Sequence, residues 1–242
     1  MKKTTTLKLE DLNFEDHGII YKKEIFDKSI LDGLENDILL LTNKRNLIEL
    51  SDYIVELDRN DKKSLLELNK FISKHPVISL IGVTLMNDTK NLAPNTFPVY
   101  LGGSILLGLP NDKRLIYSWH QESNYMPGFK KLYNSWTPLF KNSEIDNGTM
   151  SVIIGSHKYG KLDYNKISSS NGYTQLENDV SDFNLKESEF WCCIPLGDQV
   201  IFDQNLIHRS NNNKSNNVRF SITSRIGYSD VLTSVDGFKE KY

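Results

Sequence analysis

Along the first third of the chain, apolar residues recur at helical spacing. Ile30, Leu31, Leu34, Ile38 and Leu41 follow Asp27, whose carboxylate suits an N-cap, and they predict a helix. A second helix is predicted behind Asp61, where Leu65, Leu66, Leu68, Phe71 and Ile72 share the spacing and Pro76 marks the stop. Residues 46–58 could form either helix or strand. After residue 95 the apolar runs shorten and become β-branched and aromatic. They predict strands at 97–108, 114–122, 131–140, 149–154, 189–194, 198–203 and 218–227, separated by turn signals such as Pro110-Asn111-Asp112 and Asn147-Gly148. Many short strands without alternating helices predict a sandwich or barrel rather than a parallel α/β sheet. The polar, Ser/Asn-rich stretch 160–187 reads as a long loop, expected to act as a substrate-facing lid.

Composition narrows the class. The chain has 242 residues, 38% of them hydrophobic and 25% charged, with 11 Tyr, 11 Phe and 3 Trp, which argues against disorder. Lys and Arg (29) nearly balance Asp and Glu (31), so the basic excess of a nucleic-acid or anionic-membrane binder is missing. The two cysteines, Cys192 and Cys193, are adjacent, which suits neither a disulfide nor a zinc knuckle. They read as small apolar strand residues in a reducing compartment. Residues 1–12 lack the apolar segment of a secretory signal. The longest apolar stretch, Pro76 to Met86, falls short of the roughly 20 residues that a membrane span requires. A cytoplasmic protein is expected, with no nucleic-acid or membrane partner.

Of the five histidines, His17 and His75 lie in the helical part without a partner at ligand spacing. His120 belongs to Tyr117-Ser118-Trp119-His120-Gln121-Glu122. On a strand, residues i and i+2 share a face roughly 6–7 Å apart, so His120 and Glu122 would converge as metal ligands do. His-x-Glu alone is a weak pattern, equally met by a His–Glu hydrogen bond on a sheet surface. His208 strengthens it, because it follows the apolar run ending at Asp203. Two imidazoles and a carboxylate on one face of an octahedron leave three positions open, the arrangement of non-haem Fe(II) oxygenases. Arg219 lies in the alternating run Val218-Arg219-Phe220-Ser221-Ile222. An inward Arg on a strand is costly unless it meets an anion, and its planar fork fits a carboxylate.

At these residues the sequence resembles the phytanoyl-CoA dioxygenase-like family of Fe(II)/2-oxoglutarate oxygenases. Phe14-Glu15-Asp16-His17-Gly18-Ile19-Ile20 resembles the family's opening, and Trp119-His120-Gln121-Glu122 its Trp-His-Gln-Asp segment. Asn147-Gly148 and Ile154-Gly155-Ser156-His157-Lys158 resemble its Asn-Gly and Pro-Gly-Ser-His-Lys loop. His208-Arg209-Ser210, Asn213, Ser215 and Arg219 resemble its distal segment. The resemblance implies iron ligands His120, Glu122 and His208. It implies that Arg219 grips the distal carboxylate of 2-oxoglutarate, assisted by Ser210 and Tyr117, with Arg225 the nearest alternative cation. His157 is expected in a loop-structural or substrate-side role. Glu122 stands where the family usually has Asp, and a carboxylate there argues against a halogenase.

The implied fold is mainly β with N-terminal helices: a double-stranded β-helix, a cupin-like jelly roll. One domain over 1–242 is expected, with a helical part at 1–95 and a β core at 96–230. The implied cofactors are Fe(II), 2-oxoglutarate as cosubstrate, and O2. The implied reaction hydroxylates an unactivated C–H bond of a small-molecule metabolite and converts 2-oxoglutarate to succinate and CO2. Two other classes fit the His/His/Glu set: a cupin-like zinc or manganese metalloenzyme, and a non-catalytic jelly-roll binding protein. The first leaves Arg219 and Ser210 without a role, and the second has no reason to place all three ligand types and the Arg in family order.

Overall fold

A computed structural model describes residues 7–114, 116–168 and 174–230. A short helix α1 (Phe14–His17) and strand β1 (Ile19–Lys22) precede four helices: α2 (Lys28–Thr42), α3 (Leu47–Asn60), α4 (Lys62–Ser73) and α5 (Pro76–Thr89). Then come β2 (Phe97–Gly108), α6 (Glu122–Tyr125), β3 (Lys131–Leu139), β4 (Ser151–Ile153), β5 (Tyr164–Ser168) and β6 (Thr174–Asn178). The chain continues through α7 (Leu185–Ser188), β7 (Glu189–Trp191), β8 (Gln199–Asp203), β9 (His208–Arg209) and β10 (Arg219–Ser229).

Side-chain caps set the helix starts. Asp27 accepts a hydrogen bond from the Ser29 amide, and Asp61 from the Ser64 amide, as the sequence predicts. Asn46 accepts from the Ile48 and Glu49 amides, which starts α3 and settles 46–58 as helix. Leu50, Ile54 and Leu57 then share its buried face. At the end of α2, Leu39 rather than Leu41 packs against the core. On α4 the buried pair is Leu68 and Ile72, one helical turn apart, while Leu66 and Phe71 project outward. Pro76 occupies the first turn of α5, where a missing N–H costs nothing, and Ile78, Ile81 and Leu85 bury its inner face. None of the helices among the described residues is long and apolar enough to cross a membrane.

The strands form antiparallel sheets. A five-stranded sheet runs β1-β8-β3-β10-β2, and a three-stranded sheet runs β7-β4-β9. Alternation along β10 sorts its two faces. Phe220 and Ile222 turn toward the helices and join Leu34, Ile54 and Ile81 in one core. Arg219, Thr223 and Arg225 turn the other way and line a cavity. A second core, with Trp136, Val200 and Phe202 from the larger sheet and Val152 from the smaller, packs the sheets face to face. Cys192 is buried there, and both thiols are free.

Two expectations are corrected. The stretch 114–122 is not a strand. The backbone around Tyr117 to His120 bonds to several partners: Ser210 to the Tyr117 carbonyl, Gln175 to the Ser118 amide, and Asn178 to the Trp119 carbonyl. The one β contact there is the isolated His120↔His208 bridge, and Glu122 opens α6. The stretch 160–187 is not a plain loop. It carries the β5–β6 hairpin and α7, and the centre of its Ser/Asn-rich run, 169–173, lies outside the described residues. Polar side chains fasten the hairpin: Gln175 bridges the Ser118 amide and the Ile116 carbonyl, and the Leu176 amide donates to the Tyr125 hydroxyl. A sequence poor in apolar residues thus finds order by satisfying another segment's backbone.

The helical layer shares a core with β2 and β10, so its packing should be felt by the whole fold. Ile54 is fully buried in that core. Ile54→Ala is expected to lower unfolding stability by about 2–5 kcal/mol in urea denaturation, with the midpoint displaced and the slope unchanged.

Candidate metal centre and its cavity

His120, Glu122 and His208 converge. All three are buried, and their ligand atoms lie within 4.8 Å of one another. Two backbone hydrogen bonds join His120 and His208 directly, at 2.9 and 3.0 Å, which puts the two imidazoles side by side with ring centroids 4.1 Å apart. Glu122 arrives differently from expectation. It is the first residue of the α6 turn, so a helical start rather than strand alternation brings its carboxylate toward the rings. Its Oε2 lies 4.0 Å from His208 Nε2.

The tautomers of both rings are set from behind. His120 Nδ1–H donates to the Ser118 carbonyl at 2.7 Å, and His208 Nδ1–H to the Leu206 carbonyl at 2.9 Å. Each Nε2 therefore keeps a lone pair for a cation, and the hydrogen bond behind each ring holds it in that orientation, as is typical of metal-bound imidazoles. Burial holds His120 below its ordinary pKa of 6.5. It holds His208 well below, with the facing His120 adding to the effect. Two neutral imidazoles and a carboxylate form a donor set that suits a divalent transition metal and leaves other coordination positions to ligands from outside the protein.

Gln121 points away from the three and serves as a clamp. Its amide donates to the Gly160 and Asn205 carbonyls and accepts from the Leu162 amide. Ser156 acts similarly: its hydroxyl accepts from the Ile207 amide at 2.8 Å, next to His208. His157 does not line the cavity but packs against Gly18, where any Cβ would meet its ring.

The cavity beside the three side chains has a volume of about 280 Å³, and Tyr117, Ser210 and Arg219 also line it. Arg219 donates from Nη1 to the Gly148 carbonyl and lies over the Trp136 ring at 5.5 Å. Its Nε is buried without a hydrogen-bond partner among the described residues, and burial pushes the guanidinium pKa down to about 10. An orphaned donor on a buried cation is costly and calls for an anion. The Asn-Gly and Asn-x-Ser motifs build the wall behind it. Gly148 adopts φ +81°, and a Cβ there would lie 2.7–2.9 Å from the backbone of residues 211–213. Asn213 donates to the Gly108 and Asn217 carbonyls and accepts from Ser215, folding that loop.

Sequence reasoning missed Trp136 and gave Arg225 only as a substitute for Arg219. Arg225 instead bonds Glu122, Nε to Oε1, at 2.6 Å. Alternation was the available signal: Arg219, Thr223 and Arg225 are separated by even numbers of residues on one strand and share a face.

Two outcomes follow from this geometry. Gly148→Ala is expected to destabilise the fold and loosen Arg219, because backbone rather than a movable side chain occupies the space; thermal unfolding reads the first and anion binding the second. In metal-free protein, His120 and His208 make stability depend on pH. The unfolded chain takes up protons near pH 6.5 that the folded rings refuse, so stability is complete above that value and declines as pH falls below it. Urea midpoints measured with chelator from about pH 7.5 to about pH 5.5 should show the decline, and His208→Gln should flatten it.

The family model described as Phytanoyl-CoA dioxygenase (PhyH) matches residues 14–221. The peroxisomal phytanoyl-CoA dioxygenase of Mus musculus is 30% identical over 117 residues, which is 46% of this chain and 33% of the mouse protein. The match therefore spans about a third of that relative's length. Among solved structures, EvdO2 from Micromonospora carbonacea var. aurantiaca complexed with 2-oxoglutarate has a TM-score of 0.57 at 17% identity, covering 90% of each chain. The epimerase SnoN in complex with Fe3+, alpha ketoglutarate and nogalamycin RO has a TM-score of 0.57 at 12% identity, covering 88% of this chain and 80% of that one. At such identities the likeness is one of fold. The family match covers most of the sequence and includes the segments that carry His120, Glu122, His208 and Arg219: this chain belongs to the phytanoyl-CoA dioxygenase (PhyH) family.

Proposed function

We propose that this chain is an Fe(II)/2-oxoglutarate-dependent oxygenase, built on a single double-stranded β-helix domain, that hydroxylates an unactivated C–H bond of a small-molecule metabolite. One observation carries the reading: three buried metal-ligand side chains share a cavity with a buried arginine whose Nε lacks a partner. His120, Glu122 and His208 would hold the iron, and Arg219 the distal carboxylate of 2-oxoglutarate, with Ser210 and Tyr117 beside it. When bound, the iron and cosubstrate supply O2-dependent oxidation: one oxygen atom enters the substrate, and 2-oxoglutarate leaves as succinate and CO2.

The chain's own residues prepare this chemistry. The Ser118 and Leu206 carbonyls fix both rings in the tautomer that ligates. Phe202, Trp136, Met150 and Leu106 give the cavity an apolar lining that limits water around a reactive centre. The β5–β6 hairpin bonds to the segment that carries His120 and so supports that ligand from outside the cavity. A cupin-like zinc or manganese enzyme leaves the arrangement around Arg219 without a use, and a non-catalytic binding protein has no reason to place all three ligand types beside that arginine. Solved structures with this fold include an epimerase and a carbocyclase, so the product must be identified as well as the succinate.

Anaerobic titration is expected to give one Fe(II) per chain, with a visible charge-transfer band only after 2-oxoglutarate is added. His120→Ala and His208→Ala should abolish iron binding while the fold persists. Arg219→Ala should keep iron but weaken 2-oxoglutarate binding about 10–100-fold, with Arg219→Lys a partial rescue, because an ammonium cannot make the two-pronged contact. Full iron affinity in His208→Ala would overturn the reading. Succinate coupled to an oxygenated product, read by mass spectrometry across a metabolite panel, separates hydroxylation from epimerisation or ring closure.

A further inference from the structure

Glu122 differs from the aspartate expected at its position by one methylene, and Arg225 makes that difference intelligible. Arg225 lies on β10 opposite Asn134 of β3, on the face that also carries Arg219 and Thr223 into the cavity. Its Nε donates to Glu122 Oε1 at 2.6 Å, and Oε2 of the same carboxylate faces His208 Nε2 at 4.0 Å. The two glutamate oxygens therefore have separate partners. The ion pair is largely shielded, with side-chain exposures of 21% for Arg225 and 6% for Glu122. Breaking such a pair leaves a buried charge uncompensated.

A glutamate has one more rotatable bond than an aspartate, so by itself it can approach a cation with either oxygen or with both. A guanidinium fixed on a central strand removes that freedom by occupying one oxygen. An aspartate would withdraw the carboxylate by about one carbon–carbon bond, ~1.5 Å, and lose the contact. Arg219 does not compete for Glu122, since its Nη1 is engaged by the Gly148 carbonyl and its guanidinium lies over Trp136. We propose that Arg225 is a positioning residue for the metal ligand Glu122: it holds Oε1 so that Oε2 alone is presented beside His208, and so adapts the site to a glutamate. The proposal rests on the reading of Glu122 as a metal ligand.

Cobalt(II) alone, added to metal-free protein, tests it through affinity and the visible absorption of the bound ion, neither of which needs turnover. Arg225→Met should weaken Co(II) binding about 10–100-fold and change the absorption envelope, the usual scale for loss of an outer-shell partner. Arg225→Lys, which keeps the charge and much of the volume, should fall between the two; it also decides the matter if Arg225→Met fails to fold by circular dichroism. In a Glu122→Asp background the Arg225 contact is already lost, so adding Arg225→Met should change affinity little. Wild-type affinity and spectrum in both Arg225 variants would overturn the proposal. So would tighter binding, or an equal loss in the Glu122 and Asp backgrounds. Wild-type Co(II) affinity in His120→Ala and His208→Ala would instead overturn the metal-site reading, whatever the Arg225 variants do.

Discussion

The two backbone hydrogen bonds between His120 and His208 hold the site together. They join a segment without regular strand structure to β9, only two residues long, and place both imidazoles on the same side of that junction. Short ladders are weak alone, so neighbouring polar side chains support this one. Gln121 ties the His120 segment to the Gly160 and Asn205 carbonyls, and Ser156 holds the Ile207 amide beside His208. Were the junction to open, the rings would separate, and neither Glu122 nor Arg225 would have a centre to face.

Around that junction the cavity carries more charge than a protein interior usually tolerates. Glu122 is matched by Arg225, whereas Arg219 has a backbone carbonyl and an aromatic face but no carboxylate. Such an imbalance costs stability unless an anion meets the unmatched guanidinium. The two arginines differ in kind despite sharing a strand face. One is engaged by a protein carboxylate and acts within the site. The other lines the cavity with an Nε that has no hydrogen-bond partner among the described residues.

The rest of the fold supplies stiffness. The four helices bury their apolar stripes against the outer face of β10 and β2, and so brace the strand that carries both arginines. On the other side, Trp119 packs with Ile153, Ile207 and residues of the 160–187 stretch, which covers the outside of the His120 segment. The family's motif positions divide along the same line. His120, Glu122, His208 and Arg219 face the cavity. Asn147, Gly148, Ser156 and Asn213 shape the backbone that holds those four in place.

The sequence by itself determined the capped helices after Asp27 and Asp61, most of the strands, and the candidates His120, Glu122, His208, Arg219, Ser210 and Tyr117, which all line the cavity. These are legible because hydrophobic period, capping chemistry and turn residues act over a few positions. It misjudged 114–122, where strand alternation was the right expectation for the wrong backbone: the bonds of Tyr117 to Trp119 go to Ser210, Gln175 and Asn178, partners distant in sequence. It misjudged 160–187 for a related reason, since that hairpin is ordered by hydrogen bonds to another segment and not by an apolar face of its own. The separation of Arg219 from Arg225 was decided only in three dimensions. Both are arginines on one face of one strand, and what distinguishes them is which acceptor the fold brings within 3 Å of each: the Gly148 carbonyl for one, the Glu122 carboxylate for the other. Local patterns fix what each residue offers, but the partner that receives it is set by chain segments that meet only on folding.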